Sequence, residues 1–409
     1  MISDFHEILS DNMKGRKRSA IRELLKLTQR PDVISFAGGF PSPESFPLRE
    51  LKEVINEVME KEATFALQYG TTEGDPLLKE MLVEHYRKQG IKVKHENILI
   101  TTASQQGLDL VAKILINPND KVIVGLPSYL GGLSAFSSYG AHLVGVPLDD
   151  EGMSSELLEE TLKKLKENNE KPKFIYVIPD FQNPSGITMS NKRRQQLIKI
   201  AQKYNVLILE DSPYRELRFF GEHQDPIYSI DDSGRTILLG TFSKIFAPGF
   251  RIGWALAHED IIDKMVIAKQ ATDLCTSPFN QRIAARFIEK GYLEKSIKNI
   301  IELYREKREI MLKAFRDYFP EGVRWTEPEG GLFLFIYLPE HLDTEELLVK
   351  AIEKNVAFVA GGNFYCDGTG KNTARINFSY ASKEDNIEGV KRLAAVFNQA
   401  MQQEQLTTR

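Results

Sequence analysis

The chain has 409 residues, of which 42% are hydrophobic and 27% charged, and its formal net charge is −4. This composition is ordinary for a globular protein and leaves room for one large domain and a smaller one, since domains usually hold roughly 100–200 residues. The small negative charge excludes binding to nucleic acid or an anionic membrane through bulk charge, and the short basic run at residues 14–18 is interpreted as a solvated stretch.

Cysteine and histidine usage argues against a disulfide-stabilised protein and against a metal-binding protein. The two cysteines, Cys275 and Cys366, cannot form a disulfide framework, and neither they nor the 7 histidines have metal-ligand spacing. The N-terminal segment has no apolar core of a signal peptide, and no apolar run approaches the ~20 residues that span a bilayer. We therefore expect a cytoplasmic protein with no metal site and no membrane contact.

Apolar residues at helical spacing predict helices over residues 18–30, 48–61 and 76–90. A proline ends the first helix, and a loop rich in Gly and Pro follows it. Asp75 and Pro76 provide the cap and the first turn of the third helix.

From about residue 98 onward, short apolar runs alternate with helical patterns at 104–116, 155–167 and 191–204. The runs that predict strands are NILIT, KVIVG, HLVGV, KFIYVIP, VLILE, TILLG and IGWAL. Continuous Val, Ile and Leu without polar alternation is typical of strands buried on both faces. The sequence thus predicts an α/β domain with a mainly parallel, seven-stranded sheet, in which ligands bind beyond the carboxyl ends of the strands.

The last part of the chain is organised differently. Its predicted elements are a long helical stretch over about 280–318, the strands GVRW, GLFLFIYL and RINFS, and helices at 343–355 and 383–401. We expect a small α+β domain over 291–409, a large domain over 46–290, and an N-terminal helix and arm over 1–45 that joins the small domain.

Lys244 lies just past the predicted strand TILLG, in the segment TFSKIFAPGFR. Thr241, Ser243 and Arg251 flank it, and hydroxyls with a guanidinium are natural phosphate ligands. An amine beside a phosphate site is what a pyridoxal phosphate (PLP) enzyme requires, because the lysine forms an imine with the cofactor and the phosphate fixes the ring nearby. By itself, the plainer interpretation is a surface lysine in a loop.

Asp211 and Tyr214 follow the predicted strand VLILE, and Asn183 lies in the turn FQNPSG after KFIYVIP. A carboxylate at a strand end can keep the pyridine nitrogen of PLP protonated, and the tyrosine hydroxyl and the amide can both bond the phenolic oxygen of the ring. Taken singly, Asp211 is also typical of a helix cap or turn, and Asn183 of an ordinary Asn-Pro turn.

Ser104 and Gln105 open a helix after the strand NILIT, where backbone N–H groups favour an anion. Tyr129 follows KVIVG and can stack on a flat heteroaromatic ring. Ser104 is equally compatible with a plain N-cap and Tyr129 with a structural residue. What favours PLP is the joint occurrence of five segments that each offer, at a predicted strand end, a group that a different part of the cofactor needs.

With these residues in view, the chain resembles the fold-type-I, class I PLP-dependent aminotransferases, and among them the branch of 2-aminoadipate and kynurenine/aminoadipate aminotransferases. The resemblance extends from about Arg18 to the C-terminal helix. Its most specific stretches are SFAGGFPSPESFP, QYGTTEG, ASQQGLDL, PSYLGG, FQNPSG, EDSPYREL, TFSKIFAPGFRIGW and NTARINFSY. It implies the PLP-transferase fold and ping-pong transfer of an amino group from an L-amino acid (2-aminoadipate, aromatic or branched-chain) to a 2-oxo acid such as 2-oxoglutarate.

The resemblance also implies a role for each residue of the site. Those that would hold the cofactor are Lys244 as the Schiff-base lysine, Asp211 on the ring nitrogen, Asn183 and Tyr214 on the phenolic oxygen, Tyr129 as the ring stacker, and Ser104, Gln105, Thr241, Ser243 and Arg251 on the phosphate.

The same resemblance implies a homodimer with shared active sites, in which Tyr69 reaches the phosphate of the neighbouring subunit. Arg375, with Asn183, would hold the substrate α-carboxylate, a bidentate task suited to arginine. Gly39 would line the substrate pocket, and Arg22 would meet a side-chain carboxylate.

The chain departs from the family pattern at Ala103, where Gly often precedes Ser-Gln. Two alternatives also stay open. Another PLP reaction on the same fold, such as that of a β-lyase or decarboxylase, would use similar cofactor residues. A non-catalytic regulatory module would need a DNA-binding domain, and only about thirty residues precede the GGFP loop, too few for a winged helix with its own core.

Overall fold

The computed structural model describes residues 5–10, 12–14, 18, 24 and 32–407. Its strands are β1 (Ile34–Ser35), β2 (Ile98–Thr101), β3 (Lys121–Leu126), β4 (His142–Asp149), β5 (Gly152–Met153), β6 (Phe174–Val177), β7 (Leu207–Asp211), β8 (Thr236–Thr241), β9 (Gly253–Leu256), β10 (Arg324–Trp325), β11 (Phe333–Tyr337), β12 (Val356–Ala357), β13 (Val359–Ala360) and β14 (Thr373–Asn377).

The α-helices of the described residues alternate with these strands in the first two thirds of the chain and flank them in the last third. They are α1 (Leu48–Lys61), α2 (Ala63–Ala66), α3 (Pro76–Lys88), α4 (Ala103–Leu115), α5 (Leu130–Ser138), α6 (Ser155–Glu167), α7 (Asn191–Tyr204), α8 (Ile227–Ile230), α9 (Glu259–Gln270), α10 (Pro278–Glu289), α11 (Tyr292–Tyr318), α12 (Thr344–Glu353) and α13 (Lys383–Thr407).

The large sheet has eight strands in the order β2-β9-β8-β7-β6-β3-β4-β5. Strands β4, β3, β6, β7 and β8 run parallel, whereas β9, β2 and β5 are antiparallel to the strands beside them. All seven predicted strands are present, and the mainly parallel α/β fold is confirmed. The eighth strand, β5, is a two-residue extension at the edge, too short to give an apolar pattern in the sequence.

Helices cover both faces of this sheet. On one face, Leu158 of α6 and Leu197 of α7 pack in one buried cluster with Ile208 of β7. On the other face, Leu108 of α4 belongs to the main core together with Leu239 of β8. Because both faces are covered, the central strands carry apolar side chains throughout, which explains why their sequences show no alternation.

A second, antiparallel sheet of four strands has the order β10-β11-β14-β13. Arg375 lies in β14, opposite Phe335 on one side and Val359 on the other, in the middle of this sheet. The short strand β1 pairs in parallel with β12, so the chain just before the Gly- and Pro-rich loop is tied to the segment that enters this sheet. The domain bounds given above stay a prediction.

Local signals account for several helix ends. Asp75 accepts a hydrogen bond from the backbone N–H of Leu77 at 2.8 Å and caps α3, as the Asp-Pro pair predicts. The predicted stretch over 280–318 is divided into α10 and α11, because Gly291 adopts a left-handed backbone with φ of +73° between them. Helices α5 and α9 were not singled out in the sequence.

The predicted helix over 18–30 and the candidate Arg22 lie outside the described residues, apart from Arg18 and Leu24. Within the ranges given above, no helix combines the length and apolar character that crossing a bilayer demands. The same described residues contain no group of three or more metal-ligating side chains.

Candidate active site

A cavity of about 440 Å³ opens at the carboxyl ends of the parallel strands, where the large sheet faces the small one. Of the predicted site residues within the described ranges, all except Tyr69 line it. These are Gly39, Ser104, Gln105, Tyr129, Asn183, Asp211, Tyr214, Thr241, Ser243, Lys244, Arg251 and Arg375. Residues up to 336 positions apart in the chain (39 to 375) thus converge on one space.

Lys244 follows β8 by three residues and reaches into this cavity. Its Nζ donates a hydrogen bond to the carbonyl oxygen of Gly39 at 2.8 Å. Burial, together with the positive charges of Arg375 and Arg251, lowers the pKa of the amine to about 8, against the opposing effect of Asp211. A lysine with such a pKa can exchange a proton near neutral pH, as a nucleophile or a general base must.

Asp211 is the last residue of β7 and is 2% exposed. Its Oδ2 accepts a hydrogen bond from the hydroxyl of Tyr176 at 2.9 Å, whereas its Oδ1 is buried without a hydrogen-bond partner among the described residues. Burial raises the pKa of Asp211 to about 7, opposed by the Tyr176 hydrogen bond and by the charge of Lys244. An unpartnered buried carboxylate oxygen is costly unless a ligand supplies a donor.

Asn183 connects two groups of the site. Its amide Nδ2 donates to the Tyr214 hydroxyl oxygen at 3.2 Å, and its Oδ1 accepts from Nη1 of Arg375 at 2.9 Å. Burial raises the pKa of Tyr214 above its ordinary value, so this hydroxyl stays protonated and can donate.

Arg375 is buried, with 2% of its surface exposed, and its guanidinium is clamped by protein groups. Nη2 donates to the carbonyl oxygen of Ala37 at 2.6 Å, while the rings of Phe333 and Phe364 lie 4.3 Å and 5.2 Å from its central carbon. No hydrogen-bond partner for its Nε is found in the described ranges. Among the described residues, no carboxylate forms an ion pair with Arg375, and a buried cation of this kind is suited to an anionic ligand.

Hydroxyl side chains and the first turn of a helix also line the cavity. Thr241 Oγ1 lies 2.9 Å from Ser243 Oγ, and Ser104 stands in the first turn of α4. Gly253 of the neighbouring strand β9 allows this turn to come close, because a Cβ at Gly253 would lie 2.6 Å from the backbone nitrogen of Ser104. Ala103 has a left-handed φ of 60°, the conformation in which Gly is favoured. The position is thus strained in this chain.

Tyr129 lines the cavity directly before helix α5, which it precedes as the N-cap residue. Its hydroxyl donates to Oε1 of Gln105 at 3.4 Å, and Nε2 of Gln105 donates to the carbonyl oxygen of Gly131 at 3.1 Å. These contacts hold the tyrosine ring beside the first turn of α4, where a flat cofactor ring would meet it.

Tyr69 is the predicted site residue that the structure leaves outside the cavity, and it is 81% exposed. Leu67, two residues earlier, is 66% exposed. Two large apolar side chains are thus exposed within three residues of one another.

Several residues that shape the site were not predicted. Tyr176 sits within the apolar run FIYV, so the sequence offers it only as core, and Phe333 and Phe364 give no signal beyond hydrophobicity. Lys269 is fully buried and donates to Gln106 Oε1 and Asp273 Oδ1, both at 2.8 Å, directly behind the first turn of α4. Each of these contacts depends on tertiary placement.

Comparison with known proteins bears on the chemistry of this site. The family model described as aminotransferase class I and II matches residues 31–393. Aromatic-amino-acid aminotransferase 1 of Thermococcus litoralis is 49% identical over 399 residues, which cover 97% of this chain and 96% of that protein.

Two solved structures carry cofactor forms. Kynurenine aminotransferase of Pyrococcus horikoshii, in complex with PMP, KYN and KYA, has a TM-score of 0.94 at 46% identity over 97% of this chain and 98% of that one. The alpha-aminoadipate aminotransferase of Thermus thermophilus, complexed with N-(5'-phosphopyridoxyl)-L-leucine, has a TM-score of 0.90 at 35% identity over 97% and 99%.

Proposed function

The chain belongs to the class I and II aminotransferase family, and on this premise we propose how its residues divide the reaction among them. It is an enzyme that moves an amino group between an amino acid and a 2-oxo acid with pyridoxal phosphate as its cofactor. The observation that carries the proposal is that Lys244, Asp211 and Arg375 line one cavity. The lysine has a lowered pKa, and the carboxylate and the guanidinium each keep one buried atom, Oδ1 and Nε, without a hydrogen-bond partner among the described residues.

The residues present fit PLP. Among the described residues, the buried Oδ1 of Asp211 has no hydrogen-bond donor, and a protonated ring nitrogen would supply one. Gly253 lets the first turn of α4 pack closely against β9, and the backbone N–H groups of that turn would bind a phosphate. When bound, PLP supplies an electron-withdrawing ring that takes up the charge left when the substrate loses its α-proton. Asp211 would hold the ring nitrogen, and Tyr129 would stack on the ring.

The remaining cofactor groups are divided between two sets of side chains. Asn183 and Tyr214 already contact each other, and we assign both to the phenolic oxygen of the ring. The groups assigned to the phosphate are Ser104, Gln105, Thr241, Ser243 and Arg251, together with Tyr69 of a second subunit.

Lys244 anchors the cofactor through its amine and is then the proposed general base at the substrate α-carbon. Its pKa of about 8 makes the amine competent to take the proton from the α-carbon and to return it to a carbon of the cofactor. The carbonyl oxygen of Gly39, which accepts from its amine at 2.8 Å, holds the side chain on the cavity side of β8.

Arg375 binds the α-carboxylate of the substrate in this proposal. Asn183 and Ala37 hold the guanidinium in place, and the two flanking phenylalanine rings exclude water from it. Water exclusion strengthens the attraction between guanidinium and carboxylate. Gly39 lines the pocket beside it, and the substrate role of Arg22 stays a prediction.

We further infer a homodimer with shared active sites. The exposed Tyr69 and Leu67 support it, because partner contact would bury both and bring a hydroxyl to the neighbouring phosphate. A cytoplasmic location is also part of the proposal and rests on Cys275 and Cys366 being free.

The donor is proposed to be 2-aminoadipate, an aromatic or a branched-chain amino acid, with 2-oxoglutarate as acceptor. The test is a panel of these amino acids and glutamate with the purified holoenzyme, in which formation of each 2-oxo acid is measured. We expect turnover with at least one of these donors. Release of CO2 or ammonia in place of amino transfer would instead favour a decarboxylase or β-lyase.

A further inference from the structure

Tyr176 lies directly behind the carboxylate that we assign to the cofactor ring nitrogen. It belongs to β6, in the middle of the large sheet, and is 1% exposed. Strand β6 pairs with β7, which ends at Asp211, and the Tyr176 hydroxyl donates to Asp211 Oδ2 at 2.9 Å. The two oxygens of this carboxylate therefore differ: one is engaged from behind, and the other lacks a partner among the described residues and belongs to a side chain that lines the cavity.

The tyrosine ring has little freedom to leave this position. The ring of Phe136 meets it edge-on at a centroid distance of 5.1 Å. Gly132 of α5 lies so close that a Cβ there would be 2.9 Å from two ring carbons and 3.0 Å from the hydroxyl oxygen. The hydroxyl is thus held against Asp211 by packing as well as by the hydrogen bond.

We propose that Tyr176 is a positioning residue of the reaction, whose hydroxyl fixes the Asp211 carboxylate and keeps it an anion with one oxygen presented to the ring nitrogen of PLP. This inference rests on the proposed role of Asp211. It gives a functional role to Tyr176, which would otherwise be described only as a residue of the hydrophobic core.

The electrostatics of the pair agree with this geometry. Burial raises the pKa of Asp211 to about 7, and the Tyr176 hydrogen bond is the larger of the two influences that oppose it, ahead of the charge of Lys244. Burial also holds the pKa of Tyr176 well above its ordinary value, so this hydroxyl donates and does not compete for the proton.

The consequence concerns where one proton resides. A hydrogen bond to the carboxylate makes it less basic, so the proton shared with the ring nitrogen stays on the ring, where it is needed for electron withdrawal. Without the hydroxyl, the carboxylate becomes more basic and draws that proton away from the ring.

The test is Tyr176→Phe in the holoenzyme loaded with PLP that carries ¹⁵N in the ring. We expect the ¹⁵N chemical shift to move toward that of an unprotonated ring, and kcat to fall roughly 10- to 100-fold, the factor of one charge-assisted hydrogen bond, with KM for the amino donor little changed. Tyr139→Phe is the matched control, because its hydroxyl donates to Asp109 Oδ1 at 3.2 Å in the same domain but away from the cavity. It should change neither quantity.

Asp211→Asn separates failure of this inference from failure of the proposed function. If it lowers kcat severely while Tyr176→Phe leaves the ¹⁵N shift and kcat as in the wild type, the inference on Tyr176 is overturned and the role of Asp211 stands. If Asp211→Asn is harmless, both are overturned. In support of the inference, Tyr176→Phe should have little further effect in the Asp211→Asn background.

A measurement on the unaltered protein covers the case in which Tyr176→Phe does not fold. Aspartate labelled with ¹³C in its side-chain carboxyl group gives a signal for Asp211, assigned by its loss in Asp211→Asn. We expect the shift of an ionised carboxylate in the wild-type holoenzyme at neutral pH. A protonated Asp211 there would overturn the inference.

Discussion

At the scale of single residues, the site is built from side chains whose polar atoms are only partly used by the protein. Arg375 donates hydrogen bonds from Nη1 to Asn183 and from Nη2 to Ala37, and Oδ2 of Asp211 accepts one from Tyr176. Both residues line the same cavity, so each group is oriented before a ligand arrives. Such preorganisation reduces the cost of ordering the site during the reaction.

Arg375→Lys is expected to raise KM for amino donors by roughly 10- to 100-fold, because an ammonium can neither make the bidentate contact nor keep both Asn183 and Ala37. Steady-state kinetics with the preferred donor measure it, and normal circular dichroism of the variant shows that the fold is kept. An unchanged KM for every donor of the panel would remove Arg375 from the carboxylate site.

Lys244 offers a pH test in the apoenzyme. Its pKa of about 8 lies below the ordinary value for lysine, so the fraction of neutral, nucleophilic amine rises as the pH increases through about 8 and is nearly complete above about 9. The rate at which added PLP binds covalently, followed by absorbance, should therefore level off near pH 9. A rate that keeps rising tenfold per pH unit to pH 10 would contradict the lowered pKa.

At the scale of elements, the parallel strands explain why distant segments meet. Asp211 ends β7 and Thr241 ends the adjacent strand β8, so their positions at the sheet edge follow from strand order. The sequence was sufficient to predict these strand ends, because continuous apolar runs end abruptly in polar residues. It was not sufficient for Tyr176 or for the break at Gly291, since the first depends on which strand is its neighbour and the second on one backbone conformation.

Gly253→Ala tests the close approach of β9 to the first turn of α4. The added methyl would lie 2.6 Å from the backbone of Ala103 and Ser104, so the turn must shift and the affinity for PLP should fall about tenfold. Gly249→Ala is the control, because no atom lies within 4 Å of its added Cβ. Titration of the apoenzymes with PLP measures both. Equal affinity of the two variants would show that the turn does not depend on Gly253.

At the scale of the whole molecule, the active site lies where the two sheets meet. Arg375 comes from the small sheet, and its guanidinium bonds Asn183, which follows a strand of the large sheet. Sequence reasoning could assign elements to either sheet but could not orient them, because contacts such as that between Arg375 and Asn183 join positions 192 residues apart. The proposed homodimer is harder still to derive from the residues, since Tyr69 is an exposed loop residue unless a second subunit is considered.

Co-expression of two inactive variants tests the shared site. A hybrid dimer of Lys244→Ala and Tyr69→Ala has one site with both defects and one site with neither, provided that Tyr69 acts across the interface. Random pairing should then recover roughly a quarter of wild-type activity, because half of the dimers are hybrids with one intact site of two. Recovery no greater than the sum of the two parents would place Tyr69 outside the neighbouring site.

The central claim is that Lys244 carries the cofactor, and reduction of the holoenzyme with borohydride followed by peptide mass spectrometry tests it most directly. Reduction makes the bond between the lysine nitrogen and PLP permanent. The account predicts a phosphopyridoxyl group on the peptide that contains Lys244. A label instead on Lys269 or Lys307, the two lysines of the described residues that are fully buried, or on no lysine at all, would contradict it.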